Sequence, residues 1–385
     1  MGRPGHHRAG ARPGAVLRAV ERLRRGVRRG GGAVSRPGAA PVPVPRLRSF
    51  VVSLLSALGL PEQHAQDTAT ALIDADLAGR STHGVRLLPP YAARLRDGAI
   101  ATAPRLRVLS RTGAVSVLDG GNGLGQVVAA WAVRHSVEVA RELGAAVTTV
   151  RRSNHLGALG SFTRAAAEQG MVCFLVQNTR ANMAPAGGRQ AAVGNNPFSF
   201  AVPARGFPVV LDLSCSAVAR SNIDLAAERG EPIPEGWALD PDGHPTTDPR
   251  LGLLGAVLPF AGHKGSGLAV VMGALAGALS GAAFGAAVPP LSDYSRERDL
   301  GHFLLVVDVA ALGDPEELIG RVDGYVGEIG GSAPAPGVDR VRVPGEAADV
   351  RRRALLAEGI VVPAGLAAAL RALADELGVP AGALD

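Results

Sequence analysis

The sequence predicts a layered α/β protein without a Rossmann nucleotide fold, joined to a smaller helical domain formed by the N- and C-terminal segments. Three observations support this prediction. Strand-like and helix-like segments alternate through the middle of the chain, which favours a sheet covered by helices. Helical periodicity dominates near both ends of the chain. Apolar residues make up 47% of the 385, enough for a large buried core.

Residues 1–45 are predicted to be a disordered extension rich in arginine and proline. Residues 1–48 hold twelve arginines and one acid, while the whole chain has a net charge of +6, so the body that follows is acidic, at −5. Nucleic-acid binding needs a basic face, so nucleic acid is not expected as a partner. The extension lacks the apolar stretch of a secretory signal, but it also fits an organellar transit peptide or a mistaken start codon.

The helical domain is predicted to begin with residues 46–110, where apolar side chains recur at three- and four-residue steps. Residues 346–385 show the same periodicity, and we expect these C-terminal helices to pack on the first part. The helices predicted for the two segments lie at about 47–58, 61–79, 91–98, 351–358 and 366–377.

The α/β domain is predicted at residues 111–345. Its strands are expected at 114–118, 145–151, 171–177, 198–202 and 208–212, with helices at 125–143 and 158–169. The uncharged run 265–288 has the length of a membrane span, but it is rich in glycine and alanine and closely flanked by polar residues. It is therefore interpreted as a buried helix packed closely against a neighbour, within or across subunits, and no membrane association is expected.

A glycine loop at Asp119–Gly125 follows a strand and precedes a helix, as a dinucleotide fingerprint would. Its spacing is GxGxG rather than GxGxxG, and no acid follows about 20 residues later, where Val147 and Thr148 stand. The loop is therefore predicted to be a structural turn.

Lys264 is the only lysine among 40 basic residues. An ammonium is compact and can pass on a proton, which a guanidinium cannot, so Lys264 is a candidate for chemistry. The alternative is a chance survivor on a surface loop.

Two histidines lie at breaks between elements. His83 follows two hydroxyl residues, and Arg86 and Tyr91 within two turns could meet a carboxylate. His155 follows a strand and opens a helix, where anions bind. The alternatives are a helix cap with a surface histidine and a plain N-cap by Asn154. No histidines show metal-ligand spacing, so no metal is expected.

Polar residues next to the predicted strands 198–202 and 208–212 suit a cofactor. The loop 187–197 could wrap a polar ligand or form a plain hairpin, and Asp212 with Ser214 suits a ribose. Cys173 and Cys215 are the only cysteines, which favours a reducing cytoplasm over a disulfide framework.

Taken in order, these segments resemble the malate/L-lactate dehydrogenase family, which is unrelated to the Rossmann-type lactate and malate dehydrogenases. The resemblance covers about residues 47–378. The matching segments are Ser81-Thr-His-Gly-Val85, Ser153-Asn-His-Leu-Gly157, Gly194-Asn-Asn-Pro197, Asp212-Leu-Ser-Cys-Ser216, Ile233 to Asp240, Pro245 to Pro249, Leu258 to Gly265, Gly301-His-Phe303 and Pro344-Gly-Glu346.

The resemblance implies a homodimer with a mixed, non-Rossmann sheet that uses NAD or NADP to interconvert small 2-hydroxy and 2-oxo acids of the malate, lactate or sulfolactate type. His83 would transfer the proton at the carbonyl oxygen, while His155, Lys264, Arg86 and Tyr91 would hold or polarise the substrate. The residues implied at the cofactor are Asn154, Asn178, Thr179, Gly194, Asn195, Asn196, Pro197, Asp212, Ser214, Arg220, Gly345 and Glu346.

Three positions depart from the family pattern. Thr82 replaces the usual serine before the histidine, Asn195 replaces a threonine, and Ser221-Asn222 replaces a Gly-Lys pair, which leaves the choice between NAD and NADP open. A reductase of cyclic 2-imino acids on the same fold and a non-catalytic binding protein remain as alternatives.

Overall fold

The computed structural model describes residues 40–290 and 293–384. Most of the predicted extension, residues 1–39, lies outside them. Val42 forms an antiparallel bridge with Ile360, and the first helix already begins at Val44. Both valines are buried, so the prediction of disorder through residue 45 is wrong at its last residues, which apolar packing holds in place.

The described residues form eleven α-helices and twelve strands. The helices are α1 (Val44–Ala57), α2 (Glu62–Leu77), α3 (Leu88–Arg96), α4 (Gly125–Leu143), α5 (Gly160–Ala167), α6 (Arg220–Arg229), α7 (Pro249–Leu254), α8 (His263–Gly273), α9 (Pro315–Gly330), α10 (Glu346–Glu358) and α11 (Ala364–Leu377). The strands are β1 (Arg107–Thr112), β2 (Val115–Asp119), β3 (Ala145–Ser153), β4 (Met171–Gln177), β5 (Ala181–Met183), β6 (Val193–Gly194), β7 (Phe198–Val202), β8 (Val209–Leu213), β9 (Ala238–Leu239), β10 (Pro245–Thr246), β11 (Ala256–Val257) and β12 (Leu300–Asp308).

Seven strands form the main sheet in the order β1-β2-β3-β12-β4-β7-β8, and five short strands form a second sheet. The β2–β3 pair is parallel and the other neighbours in the main sheet are antiparallel, so the sheet is mixed. The predicted fold class is confirmed. The central strand β12 is not among the predicted strands, although its apolar run from Phe303 to Val307 is typical of a buried strand.

The topology brings several loops to one edge of the main sheet. Because β12 runs antiparallel to both β3 and β4, its first residues lie beside the last residues of those two strands. The carboxyl end of β8 and the start of β7 reach the same edge. This edge therefore collects the segments that follow β3, β4 and β8 and the segments that precede β7 and β12.

Helices from both ends of the chain share one apolar cluster. In α1, Leu47, Val51 and Leu54 recur on one face and are fully buried, as an amphipathic helix requires. Leu370 of α11 is buried in the same cluster, next to side chains of α2 and α3. The cluster holds the short segment between α2 and α3 at a fixed place.

The run 265–288 is not the single buried helix that was predicted. α8 ends at Gly273, continues as a π-helical segment (Ala274–Ala278) and then turns. A Cβ at Gly273 would lie 2.7 Å from Asn196 Nδ2, so this face packs closely inside the subunit. The opposite face is exposed, with Val270 57% and Leu279 71% accessible. None of the helices in the described part of the chain is long and apolar enough to cross a bilayer.

Candidate active site

His83 lies in a 3₁₀ turn, Ser81–His83, between α2 and α3. The carboxylate of Asp76 in α2 holds the segment after this turn, because its Oδ2 accepts a hydrogen bond of 2.9 Å from the backbone N–H of Val85. A Cβ at Gly84 would overlap the same carboxylate, which explains the glycine after the histidine. Burial raises the pKa of Asp76 to about 6.

The ring of His83 is held by its neighbour. Its Nδ1 lies 3.1 Å from Thr82 Oγ1, so threonine keeps the hydroxyl that serine would supply at this position. Burial, with a smaller effect from the charge of Arg80, lowers the pKa of His83 to about 4. The imidazole is therefore neutral at pH 7 and can accept a proton.

His155 stands beside His83, with 5.7 Å between the ring centroids. Tyr91 Oη lies 2.8 Å from His155 Nδ1 and accepts a hydrogen bond of 3.0 Å from Gln126 Nε2. When the phenol donates to Nδ1, the hydrogen of His155 is on Nε2. Burial lowers the pKa of His155 to about 3, so this ring is neutral at pH 7.

The glycine loop Asp119–Gly125 is a turn, as predicted. Its last residue packs against the backbone of Asn154 and His155. Asn154 Nδ2 donates to Asn122 Oδ1 and to the carbonyl of Gly123, both at 2.9 Å. A Cβ at Gly125 would overlap the carbonyl oxygen of Asn154. Asn154 therefore braces the loop that bears His155, although its Oδ1 is buried with no partner among the described residues.

A buried network lies behind this loop. His302 Nε2 is 2.7 Å from Ser153 Oγ, and Gln177 Nε2 donates to the carbonyl of Asn154 at 2.9 Å. His302 is fully buried in β12, and burial lowers its pKa to about 3. The network ties β3, β12 and β4 together directly beneath His155.

Asn178 and Asn196, both predicted at the cofactor, form side-chain hydrogen bonds with other parts of the protein. Asn178 donates to the carbonyl of Ala283 at 2.6 Å and accepts from the N–H of Gly301 at 2.8 Å. Asn196 accepts from the N–H of Thr179 at 2.8 Å and donates to a carbonyl of α8 at 2.7 Å. These side chains therefore position loops.

The loop from Gly194 to Pro197 is packed onto the same segment. Thr179 Oγ1 donates to Asn195 Oδ1 at 2.9 Å, so asparagine at this departure position forms a contact inside the loop. A Cβ at Gly194 would overlap the Asn196 side chain, which requires glycine there. The predicted residues of this loop thus lie together at the sheet edge.

A cavity of about 490 Å³ has Asp212 and Gly345 in its wall. Gly345 has φ +93°, and a Cβ there would lie 2.9 Å from the carbonyl of Pro208. Arg80 lines the cavity, donates to the carbonyl of Asp212 at 2.9 Å and lies near enough to His83 to affect its pKa. Neither histidine lines the cavity, but Arg80, which does, is three residues before His83 in the chain.

Three further predicted cofactor residues make contacts elsewhere. Ser214 Oγ is 3.0 Å from Ser216 Oγ, Arg220 donates to the carbonyl of Leu253, and Glu346 forms an ion pair with Arg340. None of the three lines the 490 Å³ cavity.

Neither Arg86 nor Lys264 forms a side-chain hydrogen bond or ion pair with His83 or His155 in the described residues. Arg86 is half exposed and forms an ion pair of 3.3 Å with Glu228. Lys264 lies in the first turn of α8, is exposed, and has no hydrogen bond or ion pair through its ammonium with any described residue. The sequence predicted Arg86 and Lys264 from the chemistry of their side chains, and side-chain chemistry carries no information on the distances between residues.

Arg298 is not among the predicted residues, yet it is buried in this region, 8% exposed, as is Arg94 at 1%. Its charge lies near enough to Tyr91 and His155 to affect the pKa of both. The signal in the sequence is a charged segment placed directly before the apolar run of β12, and it can be interpreted only once β12 is recognised as a central strand.

The family model for malate/L-lactate dehydrogenase matches residues 42–371. A malate/(S)-sulfolactate dehydrogenase of Methanothermus fervidus is 36% identical over 332 residues, covering 86% of this chain and 96% of the relative. A (2R)-3-sulfolactate dehydrogenase (NADP(+)) of Chromohalobacter salexigens is 37% identical and covers 69% and 80%. A ureidoglycolate dehydrogenase (NAD(+)) of Escherichia coli O157:H7 is 32% identical and covers 82% and 90%.

Solved structures show the same likeness. Sulfolactate dehydrogenase from Methanocaldococcus jannaschii superposes with a TM-score of 0.83 at 32% identity, covering 89% of this chain and 98% of that one. A delta1-piperideine-2-carboxylate reductase from Pseudomonas syringae superposes with a TM-score of 0.76 at 30% identity, covering 86% and 99%. Sequence and fold agree over nearly the whole described chain, which therefore belongs to the malate/L-lactate dehydrogenase family.

Proposed function

We propose that this protein is an NAD- or NADP-dependent dehydrogenase that interconverts a small 2-hydroxy acid and its 2-oxo acid. The observation that carries the proposal is the pair of half-buried, neutral imidazoles of His83 and His155, whose ring centres lie 5.7 Å apart. Family membership and the relatives named above support this type of reaction.

The 490 Å³ cavity fits part of a dinucleotide, since small-molecule sites range from roughly 300 to 1,000 Å³. Asp212 suits ribose hydroxyls, and the guanidinium of Arg80 suits a phosphate. When bound, the nicotinamide supplies the acceptor or donor of hydride. Relatives whose names specify NAD(+) and NADP(+) leave both dinucleotides possible.

In the oxidation direction, Nε2 of His83 accepts the proton of the substrate hydroxyl while the hydride leaves the carbinol carbon. The Nε2–H of His155 donates to the same oxygen, and Tyr91 holds that ring in place. In reduction, protonated His83 returns its proton to the carbonyl oxygen. A fixed donor and a fixed acid or base are each worth on the order of 10²–10³ in rate.

A homodimer in the cytoplasm is the second part of this proposal. The exposed apolar face of α7, α8 and the π-helical segment supports an interface with a second copy. Its large exposed side chains are Leu254, Val270, Val271, Leu279 and Phe284. Lys264 lies in the first turn of α8, so its proposed contact with the substrate depends on the dimer. Analytical ultracentrifugation showing a stable monomer would refute the dimer.

The test is oxidation of NADH and NADPH with pyruvate, oxaloacetate, sulfopyruvate and a cyclic 2-imino acid. We expect 2-oxo acid reduction that falls at least 10³-fold in His83→Asn and loses most of kcat in Lys264→Arg. His244→Asn is the control, since that ring is 78% exposed. Full activity of His83→Asn would exclude the mechanism, full activity of Lys264→Arg would remove the lysine from it, and turnover of the imino acid alone would favour the reductase alternative.

A further inference from the structure

A polar pair lies at the end of the apolar face of two central strands. Cys173, Leu175 and Gln177 alternate on one face of β4, and the first two lie in the apolar cluster shared with α4 and α5. Gln177 pairs with His302 of β12, and both side chains are fully buried. A buried carboxamide lowers stability unless it is hydrogen-bonded, so its bonds show what Gln177 holds.

The carboxamide of Gln177 bonds to the backbone on both sides of His155. Its Nε2 donates to the carbonyl of Asn154 at 2.9 Å, and its Oε1 accepts from the N–H of Leu156 at 3.4 Å. A carbonyl can only accept and an N–H can only donate, so the two contacts fix which end of the carboxamide faces which residue. Because β3 ends at Ser153, this one side chain supports the backbone past the end of the strand.

His302 supports the same carboxamide from the neighbouring strand. Its Nδ1 lies 3.5 Å from Gln177 Nε2, and its Nε2 lies 2.7 Å from Ser153 Oγ. A hydrogen on Nε2 of His302 suits both neighbours, because Nε2 then donates to the hydroxyl while Nδ1 accepts from the carboxamide. Rotation of the carboxamide would therefore break its contacts with His302 and Asn154 together.

Gln177 also joins His155 to the loop 194–197, which holds residues predicted at the cofactor. The backbone N–H of Gln177 donates to the carbonyl of the last residue of this loop at 3.1 Å. Tyr91 meets the ring of His155 at Nδ1, and it can do so only when the backbone of residue 155 is in place. A shift of the carboxamide would therefore move this ring relative to the ring of His83, 5.7 Å away between centroids.

We propose that Gln177 is a positioning residue for the reaction, which sets the distance between the two imidazoles through the backbone on either side of His155. It acts through His155, because its own carboxamide is fully buried and bonded within the protein. This inference rests on the proposed dehydrogenase function. A side chain without hydrogen-bonding groups at this position leaves the carbonyl of Asn154 and the N–H of Leu156 without these partners, so that the loop shifts.

The first test is kinetic. Gln177→Met keeps the length of the side chain and removes both bonds to the loop. We expect kcat for 2-oxo acid reduction to fall about 10–100-fold, since a displacement of roughly 1 Å can cost this much. KM for the dinucleotide should change little, because the backbone N–H of residue 177 is retained. The primary isotope effect on kcat, measured with dinucleotide deuterated at C4, should rise as hydride transfer becomes slower than product release.

Ser136→Ala separates this effect from a loss of stability. Ser136 is as fully buried as Gln177 and donates to Thr148 Oγ1, in the middle of β3, at 2.8 Å. This variant should also lower the melting temperature, with the kcat and the isotope effect of the wild type. Gln177→Asn, whose shorter carboxamide cannot reach both residues, should show the kinetic change of Gln177→Met and replaces it if the methionine variant does not fold.

The second test needs no turnover. In protein labelled with nitrogen-15 in its histidines, the ring nitrogens of His155 report the bond to Tyr91, and His155→Asn identifies their signals. Gln177→Met should shift these signals towards those of an imidazole that exchanges between tautomers, and Ser136→Ala should not.

The two tests separate the proposals. If no substrate turns over but the signals shift, the dehydrogenase proposal fails and the positioning role stands. If kcat of Gln177→Met matches that of Ser136→Ala, or its His155 signals do not shift, the positioning role is overturned, and turnover by the wild-type enzyme decides the dehydrogenase proposal separately.

Discussion

At the scale of single residues, Thr82 places a hydroxyl against one of the two imidazole nitrogens of His83. Its Oγ1 lies 3.1 Å from His83 Nδ1. When Nδ1–H donates to this oxygen, the lone pair of Nε2 is left for the substrate proton. Threonine and serine both provide the oxygen, so the departure from the family pattern preserves the contact.

Thr82→Val should lower kcat for hydroxy-acid oxidation about tenfold, because the isosteric side chain cannot accept from Nδ1 and the tautomer is no longer selected. KM and the melting temperature should change little, and Thr82→Ser should behave as the wild type. Steady-state kinetics with thermal denaturation measures all three. A valine variant with wild-type kcat would show that the hydroxyl has no part in positioning His83.

At the scale of elements, the start of α4 is built around the backbone that carries His155. Gly125 is the first residue of that helix, and a Cβ there would overlap the carbonyl oxygen of Asn154. The loop before it supplies the carbonyls that hold Asn154 from the other side. α4 and the loop that bears His155 can approach this closely only because residue 125 has no side chain.

Gly125→Ala should lower stability by about 1–3 kcal/mol and displace His155, with a loss of activity larger than the loss of stability explains. Gly324→Ala is the matched control, since this glycine is inside α9 and a Cβ added there would meet no atom within 4 Å. The control should gain about 0.5–1 kcal/mol from helix propensity. Chemical denaturation and kinetics measure both variants, and an alanine at 125 without effect would contradict the close packing.

At the scale of the whole molecule, the fold keeps three histidines neutral. Burial lowers the pKa of His83 to about 4 and those of His155 and His302 to about 3, below the value of 6.5 expected when unfolded. Below pH 6.5 the unfolded chain therefore binds protons that the native protein does not. The stabilisation is complete above pH 6.5 and is lost as the pH falls towards 3–4. Asp76, with a raised pKa, acts in the opposite sense below pH 6.

The melting temperature should therefore decline between pH 6.5 and 4. Each buried histidine contributes a slope of about 1.4 kcal/mol per pH unit within that window. His302→Gln should weaken this dependence, whereas His244→Asn should leave it unchanged because His244 is exposed. Denaturation curves at several pH values measure the slope. A constant stability from pH 6.5 to 4.5 would contradict the burial of these rings in neutral form.

Local patterns in the sequence determined much of this structure. Helical periodicity near residue 50 and the apolar runs at 145–151 and 171–177 correspond to α1, β3 and β4. The GxGxG spacing correctly predicted a turn instead of a nucleotide fingerprint. These features succeed because helix and strand periods and turn residues depend on neighbours a few positions away. The motifs around His83 and His155 also pointed to two residues that lie side by side in the structure.

Only the tertiary structure decided which of the chemically suitable residues share a site. Lys264 and Arg86 have suitable chemistry but no bond to the histidines, while Arg298, two residues before β12, lies within electrostatic range of His155. The distances between such groups depend on strand order and register, which pair residues more than a hundred positions apart. Burial follows from the same pairing, and burial lowers the pKa of both imidazoles so that they are neutral at pH 7.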